Sequence, residues 1–151
     1  MIGSSLRPAV TGDIAFCRRL YFEDIAWIID TLKLDIAKQR ENFSIQWRLA
    51  EVRIITVAAE NVGWSQTAST EDSLFLEQLY LTARFQRQGI GSDVVRALIE
   101  EATRARRAIN LGVVKISPAR RLYERLGFQL THEDEHKFYM RRDFRPGEQQ
   151  G

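Results

Sequence analysis

The stretch ARFQRQGIGSDVV, from Ala83 to Val95, joins an apolar run on its N-terminal side to a helical pattern on its C-terminal side. Gly89 and Gly91 stand where the apolar run gives way to the helix. Because glycine has no Cβ, the backbone there can approach a ligand closely, and the first turn of a helix offers unpaired amide N–H groups. The stretch therefore predicts an anion-binding loop at the start of a helix.

Two common glycine-rich loops do not fit this stretch. The phosphate loop of nucleoside triphosphatases needs Gly-Lys followed by Ser or Thr, which is missing here, and the dinucleotide fingerprint needs a third glycine where Val94 stands. What remains is a polar turn between a strand and a helix. The N–H groups of such a turn can surround a pyrophosphate, and Arg84 and Arg87 add positive charge beside it.

The composition is typical of one globular domain: 151 residues, 44% hydrophobic and 28% charged. We expect a single domain over residues 1–145 and a disordered polar tail over residues 146–151. Neither a membrane span of ~20 apolar residues nor a signal peptide is predicted. The single cysteine, Cys17, excludes an internal disulfide and favours a reducing, cytoplasmic location.

Charge is unevenly distributed along the chain, although the net charge is only +2. Residues 1–83 contain 8 Lys/Arg and 11 Asp/Glu, whereas residues 84–151 contain 14 and 9. A basic C-terminal half suits an anionic ligand and an acidic N-terminal half suits a cation, although an ordinary solvated surface has the same counts. Since acidic residues interleave with the arginines, a nucleic-acid partner is not expected.

The elements are predicted in the order β-α-α-β-β-β-α-β-α-β-β, which indicates an α/β fold: a three-layer α/β/α arrangement with a mixed central sheet. The first two helices are predicted over Ile14–Lys33 and Leu34–Leu49, and the third over Asp93–Arg107. VRIITVAA and VGWSQTA read as a hairpin around ENVG. SLFLEQLYLTA and INLGVVKI have almost no polar break, which favours strands buried on both faces.

Two motifs resemble the GNAT superfamily of acetyl-CoA-dependent N-acetyltransferases. Q-x-x-G-x-G after a strand is similar to its pyrophosphate loop, and SPARRLYERLGF resembles its second hallmark, a helix ending in Leu-Tyr-x-x-x-Gly-Phe. The motifs occur in the family's order, and the predicted elements fit the family's fold from Leu6 to Asp143. The resemblance implies that the anion is the pyrophosphate of coenzyme A and that acetyl-CoA is the co-substrate.

The resemblance also implies cofactor contacts residue by residue. The strand residues that pair with the pantetheine arm and polarise the thioester carbonyl are Leu79, Tyr80 and Leu81. The pyrophosphate cradle consists of Gln86, Arg87, Gln88, Gly89, Ile90, Gly91 and Ser92. Many members carry an Asn early in the second motif that touches the pantetheine. Ile116 and Ser117 stand there in this chain, and the Ser117 hydroxyl is a donor of shorter reach.

Two residues match catalytic positions of the family. Tyr123 matches the tyrosine that protonates the leaving thiolate, and Glu77 stands where several members carry a glutamate that deprotonates the amine, often through water. Because a lysine-like amine has a pKa of ~10.4, a base helps the reaction at neutral pH. The implied reaction is direct attack of a primary amine on the thioester through a tetrahedral intermediate, with the oxyanion held by backbone N–H groups.

The acceptor is a small-molecule or peptide amine that the sequence does not identify, and nothing in it decides whether the chain forms a homodimer. In this fold class the first two helices usually shape the acceptor site. On one interpretation, an acidic, aromatic-lined cleft for a cation is formed by Tyr21, Glu23, Asp24, Trp27 and Trp64. On the other interpretation, the helix simply has one apolar face in the core and one solvated face. The alternative function is a non-catalytic acyl-CoA-binding module, which shares the loop and differs at Glu77 and Tyr123.

HEDEH, from His132 to His136, matches the zinc-protease pattern H-E-x-x-H, which makes a metalloprotease a remote alternative. The pattern binds zinc only on a helix, where positions i and i+4 share a face. Here strand-like runs flank it and the chain ends soon afterwards. We therefore expect a hairpin turn and no metal.

Overall fold

Four α-helices and seven β-strands follow one another along residues 3–146, the part of the chain that this computed structural model describes. The strands are β1 (Ser5–Pro8), β2 (Val52–Val57), β3 (Glu60–Ser69), β4 (Ser73–Leu81), β5 (Ala108–Val114), β6 (Gln129–Glu133) and β7 (Lys137–Arg142). The helices are α1 (Ile14–Leu32), α2 (Ile36–Gln46), α3 (Ile90–Arg104) and α4 (Arg120–Arg125). The predicted α/β class and the predicted order of elements are confirmed.

The strands form one mixed sheet in the order β1-β2-β3-β4-β5-β7-β6. β4 and β5 are parallel, with registered pairs from Ser73↔Ala108 to Leu76↔Leu111, and β4 then continues to Leu81. The pairs β1–β2, β2–β3, β5–β7 and β6–β7 are antiparallel. A parallel pair needs a long crossover connection, and α3 supplies it between β4 and β5.

The described residues divide into two compact units. The first contains β1, α1, α2, β2, most of β3 and the C-terminal end of β4. Apolar residues of α1 recur at helical spacing and are buried together with α2, β2 and β3 side chains. The buried cluster of this unit consists of Cys17, Leu20, Tyr21, Ile25, Phe43, Val52, Ile54 and Trp64. The guanidinium of Arg7 in β1 binds the Asp13 carboxylate at 2.9 and 3.0 Å, which ties β1 to the start of α1.

The second unit contains most of α3 together with β5, α4, β6 and β7. α3 buries one stripe, as its periodicity predicts, consisting of Val94, Val95, Leu98 and Ala102. β5 buries Ala108, Ile109, Leu111 and Val113. The prediction that β4 is buried on both faces is wrong for Phe75, which is exposed because its side chain points to the face opposite Leu74 and Leu76.

α1 begins at Ile14 as predicted, but it ends one residue before the predicted Lys33. α1 ends at Leu32 because Lys33 is left-handed, with φ 56°, and the Leu34 amide donates back to the Ile29 carbonyl. α2 begins at Ile36 rather than Leu34 because the Asp35 carboxylate caps it. α2 also ends at Gln46 rather than Leu49, since residues 49–51 form a separate 3₁₀ turn.

α3 begins at Ile90, three residues before the predicted start at Asp93, and ends at Arg104 rather than Arg107. Arg106 has φ 56° and so terminates the helix. The early start matters for the loop, because Gly91 and Ser92 lie inside the first helical turn rather than before it.

The turn of the β2–β3 hairpin also differs from the prediction. It consists of Ala58 and Ala59 rather than ENVG, since Val57 pairs with Glu60 and Thr56 with Asn61. Ala58 and Ala59 have φ 49° and 68°, and two left-handed residues are what a type I′ turn requires. Alanine seldom adopts a left-handed conformation, so the two alanines gave no turn signal in the sequence.

We expect the double substitution Ala58→Asn and Ala59→Gly to stabilise the protein by about 1 kcal/mol, because Asn and Gly adopt left-handed conformations at lower cost than Ala. The melting temperature, measured by calorimetry, should rise by about 2–4 °C. Ala26→Gly is the matched control, because Ala26 is exposed inside α1 and glycine there should lower stability by about 1 kcal/mol. A double variant that melts below the wild type would contradict the turn assignment.

No helix among residues 3–146 is long and apolar enough to cross a membrane. The predicted disordered tail falls outside the described residues except for Pro146.

Candidate functional site

The turn between β4 and α3 is anchored by two buried apolar side chains. Phe85 and Ile90 are both buried, whereas the four residues between them, 86–89, are exposed. Phe85 ends a 3₁₀ turn in which its amide donates to the Thr82 carbonyl at 2.9 Å. The sequence thus places a solvent-facing polar loop between two apolar anchors.

Two glutamine side chains hold the loop in shape. Gln86 Nε2 donates to the Leu81 carbonyl oxygen at 2.9 Å and to Asp24 Oδ1 at 3.2 Å. Gln88 Nε2 donates to the Arg84 carbonyl oxygen at 2.9 Å. The Gln86 amide also donates within the protein, to the Ala83 carbonyl at 3.2 Å, so the loop's remaining donors for a ligand are its other backbone N–H groups and its arginine side chains.

The loop contains two left-handed residues, Arg87 with φ 62° and Gly89 with φ 82°. Turns of this kind direct successive N–H groups toward one concavity, which favours anions. The concavity is followed directly by the first turn of α3, whose N–H groups have no intrahelical acceptor and whose dipole also favours negative charge.

The two glycines leave open space at this helix start. Among the described atoms, a Cβ at Gly89 would meet nothing within 4 Å, and a Cβ at Gly91 would meet Leu81 Cδ1 at 3.9 Å. The glycines are therefore not required for packing within the protein. They leave the backbone at the start of α3 uncovered on the side where their Cβ atoms would lie.

The two arginines of the loop differ in their surroundings. Arg84 lies over the Phe85 ring at 4.9 Å and pairs with Glu60 at 3.6 Å. Arg87 is exposed and has no ion-pair partner within residues 3–146. Arg87 is thus the arginine of the loop whose charge is available to a ligand.

The end of β4 is held by a close approach of β3. A Cβ added at Gly63 would collide with the Tyr80 carbonyl oxygen and would lie 2.8 Å from Leu81 Cδ2. Only glycine permits this approach, so Gly63 determines where the backbone of Leu79, Tyr80 and Leu81 runs. The Tyr80 hydroxyl donates to Gln78 Oε1 at 2.6 Å.

A family model for the acetyltransferase (GNAT) domain matches residues 51–130, which is more than half of the chain. This chain belongs to the GNAT acetyltransferase family. The matched region contains β4, the glycine loop, α3 and α4, and so includes both motifs that carry the resemblance. GNAT enzymes use acetyl-CoA, so the predicted family and co-substrate are confirmed.

Solved GNAT structures share the fold over nearly their whole length. PaiA N-acetyltransferase from Thermoplasma acidophilum, in complex with coenzyme A, is 17% identical with TM-score 0.78, covering 95% of this chain and 100% of its own. Ard1 from Thermoplasma volcanium is 19% identical with TM-score 0.71, covering 95% and 99%. The ribosomal-protein-S18-alanine N-acetyltransferase from Escherichia coli is 17% identical with TM-score 0.70, covering 94% of each chain. A search of curated protein sequences finds no significant match.

The helix of the second GNAT motif begins later than the Ser117-Pro118 pair predicts, because its N-cap residue is Ala119, which makes no side-chain capping hydrogen bond. Ser117 Oγ accepts from the Ala119 amide at 3.2 Å just before α4, and Gly127 follows the helix with φ 95°. Because Ser117 Oγ is only an acceptor in this bond, its proton is available to a ligand.

Tyr123 lies on α4, partly buried, with its ring centroid 5.7 Å from that of Phe128. Burial raises the pKa of the Tyr123 phenol to about 12, so the phenol is fully protonated at neutral pH. Its hydroxyl has no hydrogen-bond partner within the described part of the chain. The group is therefore a proton donor that the protein itself does not use.

Glu77 is partly buried on β4. Side chains alternate along a strand, so Glu77 points to the same face as Phe75 and opposite to Leu76. It follows the last registered pair between β4 and β5, Leu76↔Leu111.

The residues of the predicted acceptor cleft separate into two groups. Tyr21 and Trp64 are 8% and 0% exposed and belong to the core, where each ring centroid lies 5.4 Å from that of Tyr80. Glu23 and Trp27 lie at the surface, and Glu23 pairs with Arg19 at 3.8 Å. Trp64 therefore supports the core in this structure and does not line an open surface.

HEDEH forms the predicted hairpin. His132 lies in β6 and stacks on Tyr139 of β7 at 4.5 Å, while His136 lies in the turn. The Asp134 carboxylate accepts hydrogen bonds from the Tyr139 hydroxyl and from the amides of His136 and Lys137, which lower its pKa to about 2. Since no helix forms, the two histidines do not share a helical face of the kind zinc proteases use.

No pattern in the sequence indicates the contact between Asp24 and Gln86, which are 62 residues apart. Burial raises the pKa of the Asp24 carboxyl, and the hydrogen bond from Gln86 opposes this rise in part. Among the acidic residues of α1, Asp24 is therefore the one whose carboxylate is partly removed from water.

Proposed function

We propose that this protein transfers an acetyl group from acetyl-CoA directly to the primary amine of a small molecule or peptide. One observation carries the proposal: the turn before α3 is exposed, contains left-handed Arg87 and Gly89, and has open space at Gly89 and Gly91 for a ligand's negative charge. Within a GNAT domain, the group that this cradle suits is the pyrophosphate of coenzyme A.

Acetyl-CoA supplies an acetyl group that is already activated as a thioester. In the proposal, the backbone at Leu79–Leu81 binds the pantetheine arm and residues 86–92 bind the pyrophosphate. Arg87 contributes the unpaired charge and Ser117 a hydroxyl donor.

Tyr123 is the proposed general acid. A phenol with a pKa of about 12 holds its proton at neutral pH, so the proton is present when the thiolate leaves. The absence of a hydroxyl partner among the described residues supports this role, because nothing in the protein competes for the proton.

Glu77 is the proposed general base, acting on the amine directly or through water. Its position on β4, two residues before the segment proposed to bind the pantetheine arm, supports the role. A reducing compartment such as the cytoplasm also suits the chain, since Cys17 is a buried free thiol.

A non-catalytic acyl-CoA-binding module is the alternative, because the loop would serve it equally well. The test is a screen of primary amines with acetyl-CoA, following release of free thiol. Thiol release that depends on an amine supports the transferase. Tight acetyl-CoA binding without release by any amine would favour the binding module instead.

Glu77→Gln is expected to lower kcat/KM for the amine by about 100-fold, because an unassisted amine is almost wholly protonated at neutral pH. The loss should shrink as pH rises, since a larger fraction of the amine is then neutral. Glu71→Gln is the control, because Glu71 is an exposed carboxylate just before β4. A Glu77→Gln variant with the wild-type rate across the pH range would show that another group is the base.

A further inference from the structure

α1 lies across the C-terminal end of β4, and two contacts fix its position. The Tyr21 ring meets the Tyr80 ring edge-on, with centroids 5.4 Å apart. One helical turn later, Asp24 Oδ1 accepts from Gln86 Nε2, and the same nitrogen donates to the Leu81 carbonyl oxygen. The Asp24 carboxylate therefore lies beside the last residue of β4.

Asp24 is a carboxylate that has no counter-ion among the described residues. It is partly buried, and within residues 3–146 its one polar partner is the neutral amide of Gln86. Its neighbour Glu23 is exposed and already paired with Arg19 at 3.8 Å. A carboxylate that has lost water without gaining a cation gains most from a cation supplied by a ligand.

The amine that the proposed function requires is such a cation. With a pKa of ~10.4, a lysine-like amine is almost entirely ammonium at neutral pH when it leaves bulk water. An ammonium donates short, charge-assisted hydrogen bonds to a carboxylate. Trp27, three residues after Asp24 and therefore its neighbour on the helix surface, is 45% exposed and offers an indole face to the same cation.

We propose that Asp24 binds the ammonium group of the acceptor beside the end of β4, an inference that rests on the proposed acetyltransferase function. In this role Asp24 keeps its hydrogen bond from Gln86 through Oδ1 and uses Oδ2 for the substrate. The acceptor is thereby specified as a cationic primary amine, and neutral aromatic amines are excluded as good substrates.

Asp24→Asn separates charge from structure, because asparagine keeps the oxygen that accepts from Gln86 and removes the negative charge. With the most active amine from the thiol-release screen, KM for the amine should rise by about 10- to 100-fold. The Kd for acetyl-CoA, measured by calorimetry, should not change. Asp30→Asn removes an exposed charge near the C-terminal end of α1, outside the predicted acceptor cleft, and should leave both values unchanged.

Salt provides a second measurement that a merely structural role would not affect. The wild-type KM for the amine should rise with ionic strength, whereas KM of Asp24→Asn should depend on salt less. An active wild type with an unchanged amine KM in Asp24→Asn would overturn this inference alone. So would a rise in the acetyl-CoA Kd that matches the rise in KM, because Asp24 would then act through Gln86. A wild type that releases no thiol with any amine would overturn the proposed function and this inference together.

Discussion

Tyr123→Phe is expected to lower kcat by about 10²–10⁴-fold, the range over which general acids contribute to proton transfer. The substitution removes one hydroxyl that has no partner among the described residues, so packing against Phe128 and the stability of α4 should be retained. The affinity for acetyl-CoA should also be retained. The measurement is thiol release at saturating amine, with single-turnover kinetics to establish that chemistry limits the rate.

Tyr139→Phe is the matched control for that result. Tyr139 also loses one hydroxyl, but this hydroxyl donates to Asp134 at 2.7 Å in the β6–β7 hairpin and has no proposed part in the reaction. The control should keep the wild-type kcat. If Tyr123→Phe keeps full kcat while chemistry limits the rate, Tyr123 is not the acid.

Gly91→Leu is expected to weaken acetyl-CoA binding by at least about 100-fold, because the side chain would occupy the space through which an anion reaches the first-turn N–H groups. The fold should tolerate the change, since a Cβ at Gly91 meets Leu81 only at 3.9 Å, an ordinary van der Waals distance. Gly91→Ala should have a smaller effect in the same direction. Calorimetric titration measures the affinity, and thermal unfolding verifies the fold.

Gly12→Leu is the matched control. Gly12 lies in the 3₁₀ turn before α1, and no described atom lies within 4 Å of its added Cβ. This variant should bind acetyl-CoA like the wild type. A folded Gly91→Leu variant with unchanged affinity would show that coenzyme A does not bind at the start of α3.

The element order was predictable because each signal is local. Periodicity indicated the helices, and Gly127 marked the end of α4 through a left-handed backbone conformation that acts within a few residues. The turn at Ala58 and Ala59 was not predictable, because its residues lack the usual preference for left-handed backbone and the sheet register imposes the conformation.

The sequence by itself determined the class of protein, and it located the loop that we propose binds coenzyme A. Gly89 and Gly91 between a strand and a helix, followed by the Leu-Tyr-x-x-x-Gly-Phe pattern, are local features that survive at low overall identity, and they indicated a GNAT domain. Only the tertiary structure decided which residues of α1 and β3 pack in the core and which make polar contacts near the end of β4. Trp64 and Tyr21 are core residues, and Asp24 accepts a hydrogen bond from Gln86 and has no counter-ion within residues 3–146. Burial and counter-ion pairing depend on contacts between distant segments, and one-dimensional patterns of charge and hydropathy do not contain those contacts.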